Sequence, residues 1–470
     1  MKSINLKIKE TIKSIVEDST IHGIPRLVKP NSWISKIAWM LFFIASISYC
    51  IYLILTAIFV YLQYNTVTSI ETITDMPADF PVITICNLNQ FQTNNSFQIV
   101  KKYSEMKFFL PNLRLNAAVM NEFSSLNDSF KKLFTYSLKE SLISCSINMM
   151  PCFSSDFIWH FDPKYGNCYS FNTGSNSSGN SVDLRKINKA GNMNGLRLEL
   201  FIGDPSNIPE FIHSSGYHVF VHNQTYAIKY NEGYDISPGI ETNFAISRLY
   251  ETKKPKPYSD CIELDSIDSF DSDLFRVTYG LNKTYLQNNC LHLCFQKIVI
   301  QTCSCFLSIF NKLNGTIQCL NQSQLFCADN ALTIYDLNDC IQNCPLECYS
   351  TNYQITTTFS NYPTNNYAKN SLMTNPIITS KFQNETLTFD LIKQSVLSLN
   401  IYYDQLSYTK ISKDAKLELV DLVSGVGGLL GLFLGTSFLS FAEIIEMIIE
   451  TLVIIFKRPS TIKITVTQKI

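Results

Sequence analysis

The chain has no marked excess of either charge: 38 Lys and Arg stand against 39 Asp and Glu, a formal net of −1 over 470 residues. No basic block interrupts it, so nothing in the charge pattern points to nucleic acid. The short motifs of common catalytic machinery are also missing: there is no Gly-x-Ser-x-Gly elbow, no phosphate loop and no His-Glu-x-x-His. Ser437 has no general base beside it, and an enzyme is not expected. The chain lacks internal repeats and long low-complexity linkers. Most informative are two long stretches that lack charge altogether.

The first, Ile37 to Val60, holds 24 residues, and at 1.5 Å per residue it reaches about 36 Å, enough to cross a bilayer with some tilt. It begins too far from Met1, and is too long, for a signal peptide, and no small-residue cleavage site follows. The second runs uncharged for 21 residues from Leu422 to Ala442 and contains Gly435-Thr436-Ser437. Glu443, Glu446 and Glu450 follow at spacings of three and four, on one helical face. A carboxylate deep in hydrocarbon costs about 2.5–3.5 kcal/mol even on insertion scales. Their stripe is therefore expected to face water, a cavity or another helix. Small residues at a narrow point with acids beyond it suit a cation pore. Gly427, Gly428, Gly431 and Gly435 equally suit tight helix packing, and the sequence leaves that alternative open.

Orientation follows from the flanks. Lys2, Lys7, Lys9, Lys13, Arg26, Lys29 and Lys36 precede the first run, and Lys457, Arg458, Lys463 and Lys469 follow the second. The positive-inside rule then places both ends in the cytoplasm. The sequons at Asn94, Asn127, Asn176, Asn223, Asn282, Asn314, Asn321 and Asn384 all lie between the runs, where glycosylation is possible. Of 15 cysteines, Cys50 lies within the first run and the other 14 between the two. An even count in an oxidising compartment reads as a disulfide framework. The crowded Cys290-x3-Cys294 and Cys303-x-Cys305 pairs leave zinc as a lesser alternative; no metal is expected. Cys50 reads as a small lipid-facing or packed residue.

The sequence thus divides into a cytoplasmic segment 1–36, a span 37–62, an extracellular region 63–416, a second span 417–456 and a tail 457–470. Phe80 to Cys86 reads as a buried strand, and Cys168 to Phe171, Gly195 to Phe201 and Gly216 to His222 alternate as strands separated by turn residues. His218 and His222 fall on one strand face, read as exposed rather than metal-binding because no third ligand is evident. Residues 97–160 show only weak helical period, 262–348 read as short helices stapled by cysteines, and Phe389 to Leu406 as strand. A strand entering each span would let motion of the outer region pull on both helices.

Several segments together resemble the degenerin and epithelial sodium channel family, which includes acid-sensing and peptide-gated channels. They are His22-Gly23, Phe80 to Asn87, Gly166 to Asn172, Pro257 to Cys261, Cys344 to Cys348 and Gly427 to Ser437, in matching order relative to both spans. The resemblance implies a membrane α+β fold: two transmembrane helices flanking a large disulfide-rich domain with a β-sheet core, helical thumb and finger modules, and a homotrimeric or heterotrimeric channel. It implies seven disulfides, Cys86–Cys168, Cys145–Cys152, Cys261–Cys348, Cys290–Cys344, Cys294–Cys340, Cys303–Cys327 and Cys305–Cys319.

The resemblance also distributes roles. Gly435, Thr436 and Ser437 match a selectivity tract; Ser424, Gly425, Gly428, Gly431, Glu443, Glu446 and Glu450 would line the pore or set conductance. His22-Gly23 matches an amino-terminal gating motif, and Tyr64 and Tyr258 the positions of an aromatic gating contact, although interfacial tyrosine is an equal reading for Tyr64. Ser424-Gly425 stands where acid-sensing relatives carry Gly-Asp, and Thr66 where some carry histidine; both departures weaken proton gating. The implied function is a sodium-preferring, amiloride-sensitive plasma-membrane channel that uses no cofactor and is opened by an extracellular neuropeptide. Proton gating comes second, then constitutive or mechanical gating. From a different class, a non-conducting adhesion or scavenger receptor would explain the topology but neither the glycines nor the buried acids.

Overall fold

The computed structural model describes residues 25, 32–106, 119–176, 178–210, 212–224, 232–265, 268–282, 285–310, 316–334, 338–383, 386–437, 440, 442–443, 445–446, 448–449 and 452–453. The chain forms two compact units, residues 1–67 with 414–470, and residues 68–413.

In the first unit, helix α1 spans Trp33–Leu62. It contains neither Gly nor Pro, so no break interrupts its ladder. It begins at Trp33 rather than Ile37, its charge-free run being extended by one more turn that includes Lys36. It is apolar and long enough to cross a membrane. Cys50 is packed, with 1% of its surface exposed. The second run departs from expectation. Instead of one helix across 417–456, an α-helix covers only Leu419–Leu434. The chain then leaves helical geometry at residues 435–437, and helical residues resume at Ser440. The reason is local: Gly435 adopts φ +66°, a left-handed conformation that glycine enters without steric cost.

The second unit is built on two sheets. Strands β1 to β11 are Thr66–Thr74, Val82–Asn87, Leu142–Ile147, Phe157–Asp162, Gly166–Phe171, Leu196–Phe201, Tyr217–His222, Tyr234–Ile236, Ile240–Lys253, Tyr349–Asn361 and Val396–Ala415. The seven-stranded sheet runs β10-β9-β11-β6-β3 and then a short strand at Met150–Pro151, with β1 also pairing with β11. The five-stranded sheet runs β8-β7-β2-β5-β4. Within the larger sheet β9 and β11 are parallel, whereas β9 with β10 and β11 with β6 are antiparallel. The alternation read in the sequence sorts these strands. Leu196, Leu198 and Leu200 of β6, Phe244 and Ile246 of β9 and Leu397, Leu399 and Ile401 of β11 enter one core with Ile83, Ile85 and Val219 of the other sheet. On the opposite face Arg197 and Glu199 of β6, Asn243 of β9 and Ser398 and Asn400 of β11 carry polar groups, while Phe201 and Val396 join a second core.

Helices α2 to α5 (Asp273–Asn282, Gln287–Cys303, Gln322–Ile334 and Asn338–Asn343) form the helical module. Cys290 and Cys294, one turn apart on α3, bond Cys344 and Cys340. Cys303–Cys327, Cys305–Cys319 and Cys261–Cys348 complete the ladder, with Cys86–Cys168 and Cys145–Cys152 in the sheets. These are the seven pairs the resemblance implied.

Three local expectations are corrected. Phe389–Ser395 is helix α6, not strand, because Thr388 accepts the Leu391 N–H as an N-cap; β11 starts at Val396. Within 97–160 the helical reading holds for Phe97–Met106 but gives way to strand at Leu142–Ile147. His218 is not on an exposed face: it is 5% exposed, stacked on Tyr165 with ring centroids 3.9 Å apart and bonded to Asp235 Oδ1 and the Glu232 carbonyl. His222 is half-buried. Neighbouring β8 and the Tyr165 ring cover the surface that alternation alone left open.

Candidate functional site

Helix α7 is Leu419–Leu434, and its two sides differ in chemistry. Half-buried residues recur at Leu422, Val426, Leu429, Leu430 and Phe433. This is the side that meets α1: the Ser46 hydroxyl donates to the Phe433 carbonyl at 2.9 Å, and Tyr49 meets the Phe433 ring edge-on at 5.5 Å. Ser424, Gly428 and Gly431 are exposed instead. With Gly435 they recur at spacings of four, three and four, a single helical stripe. A Cβ added at Gly425, Gly427 or Gly428 would meet no atom of the described residues within 4 Å. The small-residue stripe is therefore not used for packing against α1, and within one chain that alternative falls away.

The break follows directly. The Gly435 N–H donates to the Gly431 carbonyl at 3.0 Å and the Thr436 N–H to the Leu430 carbonyl at 3.3 Å, folding the chain back over the last helical turn. The Ser437 N–H donates to Ser440 Oγ at 3.1 Å, and the Ser440 N–H returns a bond to the Ser437 carbonyl at 3.0 Å. The hydroxyl of Thr436 is buried with no hydrogen-bond partner among the described residues. Helix α7 thus ends at the Gly-Thr-Ser tract, where its aligned peptide dipoles sum to a partial charge of about −0.5. A helix C-terminus and irregular backbone at such a point attract a cation and can replace part of its hydration shell.

Beyond the break, Glu443 is half-buried and Glu446 exposed on helical residues. Glu450, His22 and Gly23 lie outside the described residues. Tyr64, with φ +50°, sits just past α1 with its ring 5.9 Å from that of Tyr61. Tyr258 donates its N–H to the Pro255 carbonyl, and the Lys254 ammonium lies 5.8 Å from its ring. Among the sequons, Asn94, Asn127, Asn176 and Asn321 are exposed and Asn223 is half-buried. Asn314 and Asn384 lie outside the described residues, as does the Asn282 side chain. Among the described residues no group of three or more His, Cys, Asp or Glu could hold a metal ion.

Sequence reasoning missed Ser46 and Ser440. A lone serine in an apolar helix carries no signal for its partner. Ser440 did leave one: it stands three residues after Ser437, the spacing of a reciprocal cap.

The family model described as "Amiloride-sensitive sodium channel" matches residues 15–447. The zebrafish (Danio rerio) acid-sensing ion channel 1C is 24% identical over 96% of this chain and 85% of its own length. The FMRFamide-activated amiloride-sensitive sodium channel of the snail Cornu aspersum is 24% identical over 97% of this chain and 85% of its own. The rabbit (Oryctolagus cuniculus) epithelial sodium channel subunit beta is 28% identical over 67% of this chain, the match spanning 48% of that subunit. A solved structure of a proton-activated chloride channel is a remote likeness, at 7% identity and a TM-score of 0.33.

Proposed function

The chain belongs to the amiloride-sensitive sodium channel family, and on that premise we propose that it is a sodium-preferring, amiloride-sensitive cation channel of the plasma membrane, opened by an extracellular ligand. Copies of α7 surround the conduction path in a trimer, either of this chain alone or with sister subunits. Both termini are cytoplasmic, and the residues between the spans lie outside the cell. The observation that carries this reading is the end of α7 at Gly435, with an exposed Ser424-Gly428-Gly431 stripe leading to it. Gly435, Thr436 and Ser437 select the ion, and Glu443, Glu446 and Glu450 concentrate cations beyond them. The gating roles of His22, Gly23, Tyr64 and Tyr258 rest on the resemblance alone.

The stimulus proposed is a neuropeptide, supported by likeness to the snail FMRFamide-activated channel over 97% of the chain. Proton gating is the second reading, supported by comparable likeness to the zebrafish acid-sensing channel and opposed by Ser424-Gly425 and Thr66. The test is voltage clamp of cells expressing the chain, alone and with sister subunits, under peptide pools and acid steps. Amiloride-blocked sodium current evoked by peptide supports the reading. Current evoked by acid alone transfers the assignment to protons. Surface protein with no sodium current under any stimulus overturns the channel assignment in favour of a receptor.

A further inference from the structure

The polar face of the larger sheet holds a cavity of about 450 Å³ in the second unit, bounded by Asn192, Met149, Met193, Arg197, Glu241 and Asn400 among others. Its charged groups come from neighbouring strands in fixed register: Arg197 of β6 lies opposite Asn400 of β11, and Asn400 lies beside Asn243 of β9. Asn400 is 4% exposed. Its Nδ2 donates to Glu241 Oε1 at 2.6 Å and to Asn243 Oδ1 at 2.8 Å, which fixes the orientation of the amide. Its Oδ1 is buried with no hydrogen-bond partner among the described residues. A buried acceptor left in this way is unfavourable.

Arg197 and Glu241 sit 3.9 Å apart, beyond hydrogen-bond reach, with 52% and 26% of their side chains exposed. The cavity thus presents a guanidinium and a carboxylate with one oxygen not engaged by Asn400, both on strands, with Asn400 fixing the carboxylate from behind. A simple cation would meet Arg197, and a simple anion would meet Glu241. A ligand carrying both charges satisfies each. An α-amino acid bears its ammonium and its carboxylate on one carbon, so its dipole can lie antiparallel to a pair at this separation. The carboxylate would take the planar donors of Arg197. The ammonium would take the Glu241 carboxylate. Met149 and Met193, exposed at 70% and 71%, supply a flexible apolar rim suited to an aliphatic side chain. We infer that this cavity is a binding site for a free apolar α-amino acid, separate from the pore and independent of the gating stimulus proposed above.

The test uses the purified full-length protein in nanodiscs and isothermal titration with L-leucine, leucinamide, which lacks the carboxylate, and 4-methylpentanoate, which lacks the amine. Binding of L-leucine with at least tenfold weaker binding of both analogues is expected. Arg197→Gln and the isosteric Glu241→Gln should each weaken L-leucine at least tenfold. The assignment is overturned if L-leucine fails to bind at millimolar concentration. It is equally overturned if either analogue binds as well as L-leucine, or if both variants bind it as the parent does. Because the analogues are compared on the unaltered protein, a variant that fails to fold does not blunt the test.

Discussion

The Ser46 hydroxyl donates to the main-chain carbonyl of Phe433 across 2.9 Å, two residues before the chain leaves α7 at Gly435. A side-chain donor on one membrane helix is thus spent on the last turn of the other, next to the proposed selectivity tract. Interhelical bonds of this kind in membranes contribute about 0.6 kcal/mol on average and up to about 1.7. Ser46→Ala should therefore destabilise the paired helices by about that amount and shift the balance of open and closed states. Unfolding in detergent and the open probability of single channels check this. No change in either would mean that the bond plays no part in holding the break.

Gly435→Ala should be far more damaging than Gly425→Ala. Alanine at φ +66° costs about 1–2 kcal/mol, whereas a Cβ at Gly425 meets no atom of the described residues within 4 Å. Surface labelling with reversal potentials in mixed sodium and potassium checks the contrast. We expect Gly435→Ala to reach the surface with altered selectivity or no current, and Gly425→Ala to keep the parent's fold and expression.

Arg248 is 3% exposed. It donates to Asp75 Oδ2 at 2.5 Å and to the Leu406 carbonyl at 3.1 Å, with Tyr403 and Tyr408 rings 5.1 and 5.5 Å from its guanidinium. These bonds hold the irregularity where β9 and β11 slip register between Ile246 and Arg248. Asp75→Asn would leave the arginine buried without its charge partner, a loss of about 3–5 kcal/mol for a fully buried pair. Because Asp75 is 41% exposed, the lower end of that range is expected. Adding Arg248→Met to Asp75→Asn should cost less than the sum of the singles. A double-mutant cycle by thermal unfolding measures this, and strict additivity would contradict it.

Burial lowers the imidazole of His292 from its usual 6.5 to about 4. In that window the unfolded chain takes up the proton and the folded chain does not. Stability is therefore unaffected above the unfolded value, falls as pH drops through it, and stops falling near the folded value. His292→Gln should flatten the decline in melting temperature between these limits. An unchanged pH profile in the variant would contradict the assignment. Burial also lowers the pKa of His160, so neither histidine favours charging on mild acidification, which further weakens a proton-sensing role for them.

Glu443→Gln should lower single-channel conductance more than Glu450→Gln, because Glu443 follows the break more closely. Single-channel recording in symmetrical sodium decides it, and the opposite order would place the narrow acidic ring deeper.

Much of this fold could be read in the sequence where a local pattern carries the decision. Leu196, Leu198 and Leu200 alternate and are buried, and the apolar run around Cys50 is one unbroken helix. The break in the second run could not be read from hydropathy, because Leu434, Phe438 and Leu439 keep the run apolar straight through it. It depends on the backbone angle of Gly435, which composition does not record. The burial of His218 depends on Tyr165, 53 positions away in sequence and stacked on it by strand pairing. Helix α6 was hidden because seven residues hold too few turns to show a period, although Thr388 marked its start. The disulfide pairs came only with the resemblance, since cysteine spacing alone admits many connectivities. The orphan amide of Asn400 needs three strands in register before it exists at all.

The central claim is that the small-residue stripe of α7 faces water in the assembled channel while its α1-facing side stays dry. Cysteine accessibility under voltage clamp tests it most directly, in a Cys50→Ser background with a cationic thiol reagent applied from outside. Irreversible block is predicted at Ser424→Cys, Gly428→Cys and Gly431→Cys, with current at Val426→Cys untouched. Block at Val426→Cys with no effect along the stripe would contradict the account.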